Sequence, residues 1–472
     1  MRGDFTRMTF DPAKHYSTVF QQQGRVQMDA DSNEGQDILR YFSRRLAADL
    51  IGPHGGTRDG FRIDPAARDQ NNNEVLRDFD IAPGHYYVDG ILCENDGPTR
   101  YSAQSGSPIG LDKLEVGKLY LAYLDVWERH VTAYEDENEE RIGIREVALR
   151  GPDTGTRAQI IWQVKWKLID QSFIDKLKAP EPEGYKNFLT FLQEQAPPRG
   201  RLRARALKPR DDDEPCIISP EAHYRGAENQ LYRVEIHRPG VGMPPTDTPG
   251  KPPKVDINKI ANFKWSRENG SVIFPITDVQ GEVVTLRDLG RESRFGLRVD
   301  DWVEITDDDY VLQNRAEPLL QVKTINRDTM EVTLKTAPAS PVGTDAAKHP
   351  LMRRWDQKSD AIAVVQTTGD DDPNWIFKLE DGVQIQFPRG EGNAIAPASS
   401  SSYRTGDYWL IPARVATGDV EWPGPRGNPR PRAPHGVEHA FAPLGVIAIA
   451  AGGKVTPTAG GDLRKIIKPL TS

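Results

Sequence analysis

Glycine and proline interrupt this chain so often, 41 and 37 times in 472 residues, that helices can occupy little of it. Each interior glycine weakens a helix, and each proline removes a donor and clashes with the preceding turn. The segments between these breaks are mostly short apolar or alternating runs. The core must therefore come from many short strands joined by turns and loops. The length suits about two to four domains. The expected fold class is mainly β, with several antiparallel β-sandwich or barrel-like modules, a short N-terminal helix and long irregular loops.

Alternation locates the strands. Lys118–Val131, KLYLAYLDVWERHV, is the strongest in the first half, with Tyr120, Ala122, Leu124 and Val126 in register. Ala158–Leu168 places Ile160, Trp162, Val164 and Trp166 on one face. Gln230–His237, Val383–Phe387, Tyr408–Pro412 and Gly445–Ala451 read the same way. Asp89-Gly90 and Asn269-Gly270 are hairpin turns, and Pro83-Gly84 is a further turn. Ile142–Leu149 reads as a helix or a strand, and Gly106–Gly110 as loop. HGGTRDGF, from His54, is a glycine-rich loop without the lysine of a phosphate-binding motif.

One helix stands out. In Gly35–Leu50 the residues Ile38, Leu39, Phe42, Leu46 and Leu50 fall near helical spacing, with Asp31, Ser32 or Asn33 as caps and Gly52-Pro53 as the stop. The pattern divides the chain into 1–54, a docking segment with its helix, 55–170, an antiparallel β domain, and 171–232, a mixed insertion. After these come 233–350, a barrel- or sandwich-like domain, and 351–472, a β-rich region with a Pro-rich loop.

A net charge of −8 argues against nucleic acid as the main partner. Cys93 and Cys216 give neither a disulfide framework nor a cysteine-based metal site, which fits folding in a reducing cytosol. The N-terminus lacks the apolar core of a secretory signal, and no apolar run reaches the roughly 18 residues of a membrane span. Synthesis and assembly are expected in the cytoplasm, with release outside the cell by lysis.

No catalytic motif emerges. Asp29, Asp31 and Glu34 alternate oxygen-bearing residues but lack the spacing of a calcium loop, so capping explains them better than metal. Asp307–Asp309 and Asp370–Asp372 read as exposed turns, and RGRLRARALKPRDDDEP as a solvated charged surface. His435 and His439 are four apart, but Pro434 and Gly436 oppose the helix that paired zinc ligation needs. Trp265, Trp302, Trp355, Trp409 and Trp422 fill cores, or else line a glycan-binding surface. No cofactor and no metal are expected.

The opening stretch carries the strongest signal. Gly3-Asp4-Phe5, Phe10-Asp11-Pro12, Lys14-His15-Tyr16, Gln22-Gln23-Gly24-Arg25-Val26-Gln27, Asp29-Ala30-Asp31 and Asn33-Glu34 follow one another in order. This string resembles the N-terminal signature of an uncharacterised bacterial family, GDFSRxTFDPxKHY followed by QQGRVQxDADWNE, with Ser32 in place of the tryptophan. YLDVWERHVT, ENQLYRVEIH, FKWSRENGSVIFP and GDYWLIPAR extend the resemblance over much of the chain. It implies a non-enzymatic component of a phage-tail-like contractile injection particle, baseplate-associated or fibre/spike-like. The implied partners are other particle proteins, with self-association and a cell-surface glycan as further ones. Cargo in the tube and a glycan-binding or glycan-cleaving protein are the alternatives. The residues expected to mediate assembly are Phe5, Phe10, His15, Tyr16, Gln22, Gln23, Arg25, Asp29, Asp31, Asn33 and Glu34.

Overall fold

The computed structural model describes residues 1–65, 75–106, 113–137, 143–151, 153–194, 199–207, 223–243, 256–290, 295–367, 374–389, 402–425 and 428–468. Gly106–Gly110 beyond its first residue, Ile142, the charge run at 208–215, Cys216, most of the Pro-rich 241–255 stretch and Asp370–Asp372 lie outside them. In chain order the principal elements begin with α1 (Asp29–Ile51), β1 (His54–Gly56), β2 (Gly84–Val88), β3 (Ile91–Asn95), β4 (Leu119–Val131) and β5 (Arg157–Ile169). Then come α2 (Gln171–Leu177), α3 (Glu183–Glu194), β6 (Arg203–Ala206), β7 (Gln230–Arg238) and β8 (Asn262–Ser266). β9 (Ile273–Gln280), β10 (Val283–Leu286), β11 (Trp302–Thr306), α4 (Asp308–Leu312), β12 (Leu320–Asn326), β13 (Glu331–Leu334) and β14 (Leu351–Trp355) follow. The last are β15 (Val383–Pro388), β16 (Tyr408–Arg414), β17 (His439–Ile449) and β18 (Val455–Asp462).

Antiparallel sheets dominate, joined by mostly short helices. The chain forms two compact units whose segments interleave in sequence. One contains Met1–Met8, Val131–Arg157 and Pro197–Val437; the other contains Thr9–His130, Ala158–Ala196 and Glu438–Ser472.

In the second of these units a four-stranded sheet runs in the order β18-β17-β4-β5. β4 is apolar on both faces because both are covered. Tyr120, Ala122, Leu124 and Val126 enter one core with Phe61, Phe79, Tyr86 and Val88. Leu121 and Tyr123 meet Ile174, Leu177, Phe188 and Leu192 of α2 and α3. These helices form a packed layer: Tyr185, Phe188, Leu189 and Leu192 repeat at helical spacing, and Phe188 is fully buried. The glycine-rich HGG segment is likewise a short strand, β1, which pairs with β2.

The β2–β3 hairpin turns at Asp89-Gly90, where φ is 47° and 74°. A side chain at Gly90 would also strike the backbone of Arg44, with its Cβ 2.0 Å from that carbonyl oxygen. Glycine is needed there because α1 crosses the turn.

The helix runs 23 residues, longer than the periodicity suggests. Its N-cap is Met28, without a side-chain bond, so Asp31, Ser32 and Asn33 lie inside the first turns instead of capping them. Acidic Asp29 and Asp31 still favour the positive end. Gly52, at φ 92°, ends the helix and donates to the Ala48 carbonyl at 2.8 Å.

In the other unit, six strands close into a barrel in the order β9-β10-β13-β12-β11-β14. Val284, Leu286, Val303, Ile305, Val322, Val332 and Leu334 fill it at period two. A five-stranded sheet places β7 between β8 and β16. One face of β7 sends Tyr232, Val234 and Ile236 into a core with Phe263, Trp265, Trp409 and Ile411. The opposite face carries Arg233, Glu235 and His237.

Candidate functional site

The polar face of β7 is buried, which the alternating sequence alone does not reveal. Glu235 pairs with Arg233 at 2.5 Å and with Arg2 at 2.7 Å, and Lys264, its register partner on β8, lies 3.5 Å away. Lys264 also binds Glu304 of β11 at 2.6 Å and sits 4.4 Å above the Trp355 ring. Glu304 accepts further hydrogen bonds from the Tyr310 hydroxyl and the Trp355 indole, each at 3.0 Å. His237 joins the same network, its Nε2 lying 2.6 Å from the Glu317 carbonyl.

Burial alone would raise both carboxyl groups, but the cations outweigh it. Arg2, Arg233 and Lys264 hold Glu235 well below the ordinary carboxylate range. Lys264 holds Glu304 down to about 2. Burial, then Lys264, pushes His237 down to about 4, so its ring is neutral near pH 7. Glu235 and Glu304 thus form a carboxylate pair around one lysine, but both side chains are at most 5% exposed and their oxygens face protein donors. This arrangement suits a structural lock better than acid–base chemistry on a substrate.

The first eight residues close this lock. Arg2 reaches Glu235 with both Nε and Nη2. Arg233 donates to the Met1 carbonyl at 3.1 Å, and Asn269 to that of Gly3 at 2.9 Å. Phe5 packs on Leu231, Tyr408 and Leu410, and Arg414 donates to the Thr6 carbonyl at 2.9 Å. Arg7 pairs with Glu421 at 3.0 Å. Phe5 is thus an internal anchor, and Arg2, just outside the signature string, is its charged counterpart.

From Thr9 the chain belongs to the other unit. Thr9 donates to Glu34 at 2.6 Å, and Phe10 lies 5.8 Å from the Tyr41 ring. Glu34 is therefore held by the arm, while Asp31 and Asn33 are half-buried on the helix and Asp29 is exposed in its first turn. Asp11 caps a short 3-10 turn through Ala13, and His15 ends it at φ 56°. His15, Tyr16, Gln22, Gln23 and Arg25 are all exposed, and Lys14 lies over the Tyr16 ring at 5.8 Å. Phe20 and Val26 of this arm are 85% and 82% exposed. The structure therefore splits the expected residues into an anchored set, led by Phe5, Phe10 and Glu34, and a displayed set from His15 to Arg25.

The remaining clusters have internal partners. Asp307 is a buried N-cap of α4, not an exposed turn; Asp308 binds His349 and Asp309 binds Lys348, each at 2.8 Å. His435 and His439 are committed separately: His435 accepts from the Leu410 amide, and His439 lies 2.6 Å from Asp125. Lys165 holds the other Asp125 oxygen at 2.6 Å, and His439 stacks on Trp127. Trp265, Trp355 and Trp409 are core residues, while Trp302 and Trp422 are half-buried. Among the described residues, no three His, Cys, Asp or Glu side chains group to hold a metal ion.

No curated protein and no solved structure matches the chain. A family model described as a family of unknown function, DUF6519, matches residues 1–181 and 185–453, nearly the whole sequence. With its anchored first residues and displayed arm, the chain belongs to the DUF6519 family.

Proposed function

We propose that this protein is a non-enzymatic structural component of a phage-tail-like contractile injection particle, baseplate-associated or fibre/spike-like, that docks through its N-terminal arm and α1. The resemblance of the opening stretch supplies the particle. The observation that carries the docking role is the displayed arm: Tyr16, Phe20 and Val26 present apolar side chains to solvent in a segment held at its two ends, by Phe10 against Tyr41 and by the start of α1. Large apolar side chains exposed together mark interaction surfaces more often than accident. Separately cored sheets, in sandwich- or barrel-like modules, give such a component rigid bodies on which to carry docking loops.

Deleting Met1–Glu34 is a blunt test, because Arg2 and Phe5 also complete the β7 face. The sharper variant is Tyr16→Ser/Phe20→Ser/Val26→Ser, which leaves residues 1–8 in place. Particles are purified from cells expressing this variant, and its copy number is compared with that of the parent chain. Loss of incorporation with an unchanged melting temperature supports the reading. Normal incorporation, or recovery of the parent chain only as free protein, refutes it. A chain found in the tube lumen would instead be cargo, and one retained on glycan arrays without particle association would be a glycan binder.

A further inference from the structure

α1 packs on one side and leaves an apolar stripe on the other. Ala30 and Ile38 are buried, and Asp37, Arg44 and Ala48 turn toward the same side. At 100° per residue, Leu39, Phe42, Leu46 and Leu50 fall within about 80° of one another on the opposite side. They are 62, 51, 62 and 79% exposed. With side chains of roughly 150–200 Å² each, the four leave on the order of 400 Å² of apolar surface in a single stripe, within the range of functional patches. The helix is held firmly beneath it: Arg44 and Arg40 reach Glu128 at 2.8 and 3.3 Å.

We infer that a second copy of this chain covers the stripe by laying its own α1 across it in antiparallel fashion. The spacing is self-complementary. Turned end for end about a two-fold axis between Arg44 and Arg45, the ends of the stripe exchange, so that Leu39 meets Leu50, while Phe42 lies opposite Ala47 and Leu46 opposite Ser43, each within one residue of the other's large side chain. Such isologous contact is the commonest form of self-association. One flank, Gln36, Ser43 and Ala47, is small and uncharged, which permits the helix separation of about 8–10 Å that side-chain interdigitation needs. The other flank carries Arg45 and Asp49 at the exposed edge of the stripe, where solvent and salt screen the approach of each Arg45 to its mate across the axis. Val19 of the arm lies beside Gly35, one turn before the stripe, so the arm enters the same surface. Two stripes, with Phe20 next to Val19 on each arm, present roughly 1,100 Å² of apolar surface, close to the size at which specific interfaces begin.

This inference deepens the assembly reading by naming a partner for α1, and rests on that reading only in treating α1 as a docking element. The test is sedimentation velocity of the full chain at up to about 100 µM, beside Phe42→Glu/Leu46→Glu. Both side chains are more than half exposed, so the variant keeps its fold, checked by circular dichroism. The parent should run as a dimer, and the variant as a monomer with a dissociation constant raised at least about 100-fold. A monomeric parent, or a variant that still dimerises, overturns the inference. Orientation is tested by mixing Leu39→Cys and Leu50→Cys chains, each also carrying Cys216→Ser. A short bis-maleimide should link the mixture and neither chain alone; linkage of either chain alone overturns the antiparallel pairing. A monomeric parent whose arm variant fails to enter particles removes this inference and leaves the assembly reading standing. A dimeric parent whose arm variant enters particles normally does the reverse.

Discussion

Replacing Glu304 by glutamine tests the buried ionic lock directly. The substitution keeps an oxygen for the Tyr310 hydroxyl or the Trp355 indole, but leaves Lys264 with only Glu235, 3.5 Å away. A carboxyl lowered from 4.5 to about 2 is held by interactions worth about 3 kcal/mol. Orphaning one member of a buried pair costs about 3–5 kcal/mol, so the two routes agree. For a unit of this size the loss corresponds to a fall of about 6–12 °C in its melting transition. Scanning calorimetry near pH 7 reads this, together with Lys264→Met and the double variant. The double variant should lose less than the two single losses combined, with a coupling of about 1–3 kcal/mol, because it removes both charges at once. If Glu304→Gln melts within about 2 °C of the parent and the cycle shows no coupling, the lock contributes nothing and the argument from burial is wrong.

Two more outcomes follow from the same physics. His54, His237 and His435 are pushed by burial to about 3, 4 and 3, whereas in the unfolded chain they titrate near 6.5. Between pH 6.5 and 4 the unfolded state takes up protons that the folded state refuses, so stability falls as the pH drops, by up to about 1.4 kcal/mol per pH unit for each ring. Glu304 adds its own loss only below its unfolded value of 4.5 and down to about 2. A melting temperature that stays flat from pH 7 to pH 5 would contradict this. Separately, the side-chain amide of Gln104 seals the outer edge of β5: its Nε2 donates to the Val164 carbonyl at 2.7 Å and its Oε1 accepts from the Val164 amide at 2.8 Å. Gln104→Ala should cost about 1–3 kcal/mol and raise light scattering on heating by opening a strand edge. An unchanged melting curve and unchanged scattering would show that the edge is protected otherwise.

The antiparallel strands are legible wherever one face is apolar. Lys118–Val131 and Ala158–Leu168 correspond to β4 and β5 nearly residue for residue, because alternation against a core leaves a direct trace. The Asp89-Gly90 and Asn269-Gly270 turns are readable because left-handed backbone selects those residues. Burial of a polar face is not readable. Arg233, Glu235, His237 and Lys264 look like the solvent side of their strands, and only the arrival of Arg2 and Glu304 from distant parts of the chain makes them interior. The start of α1 is also hidden: Asp31, Ser32 and Asn33 look like caps, yet the helix begins earlier, at Asp29, where Ala30 is buried and its carbonyl accepts from Thr9. For the arm, composition distinguishes a polar segment with aromatics, but cannot separate the anchored Phe5 and Phe10 from the displayed Tyr16 and Phe20.

The position of β17 has a consequence for the order of synthesis. This strand lies between β18 and β4 in its sheet, yet the His439–Asp125 bond that accompanies the pairing joins residues 314 apart in sequence. As the chain leaves the ribosome, β4 waits with one edge open and a face of Tyr120, Leu124 and Val126 incompletely covered while the whole of Pro197–Val437 is made. Contacts so distant in sequence form late and slowly. The barrel and the β7 sheet can therefore close before the sheet behind α1 does. An interrupted chain lacking Glu438 onward would display its N-terminal arm on an unfinished body, and the exposed edge of β4 would mark it for removal before it could compete with complete copies.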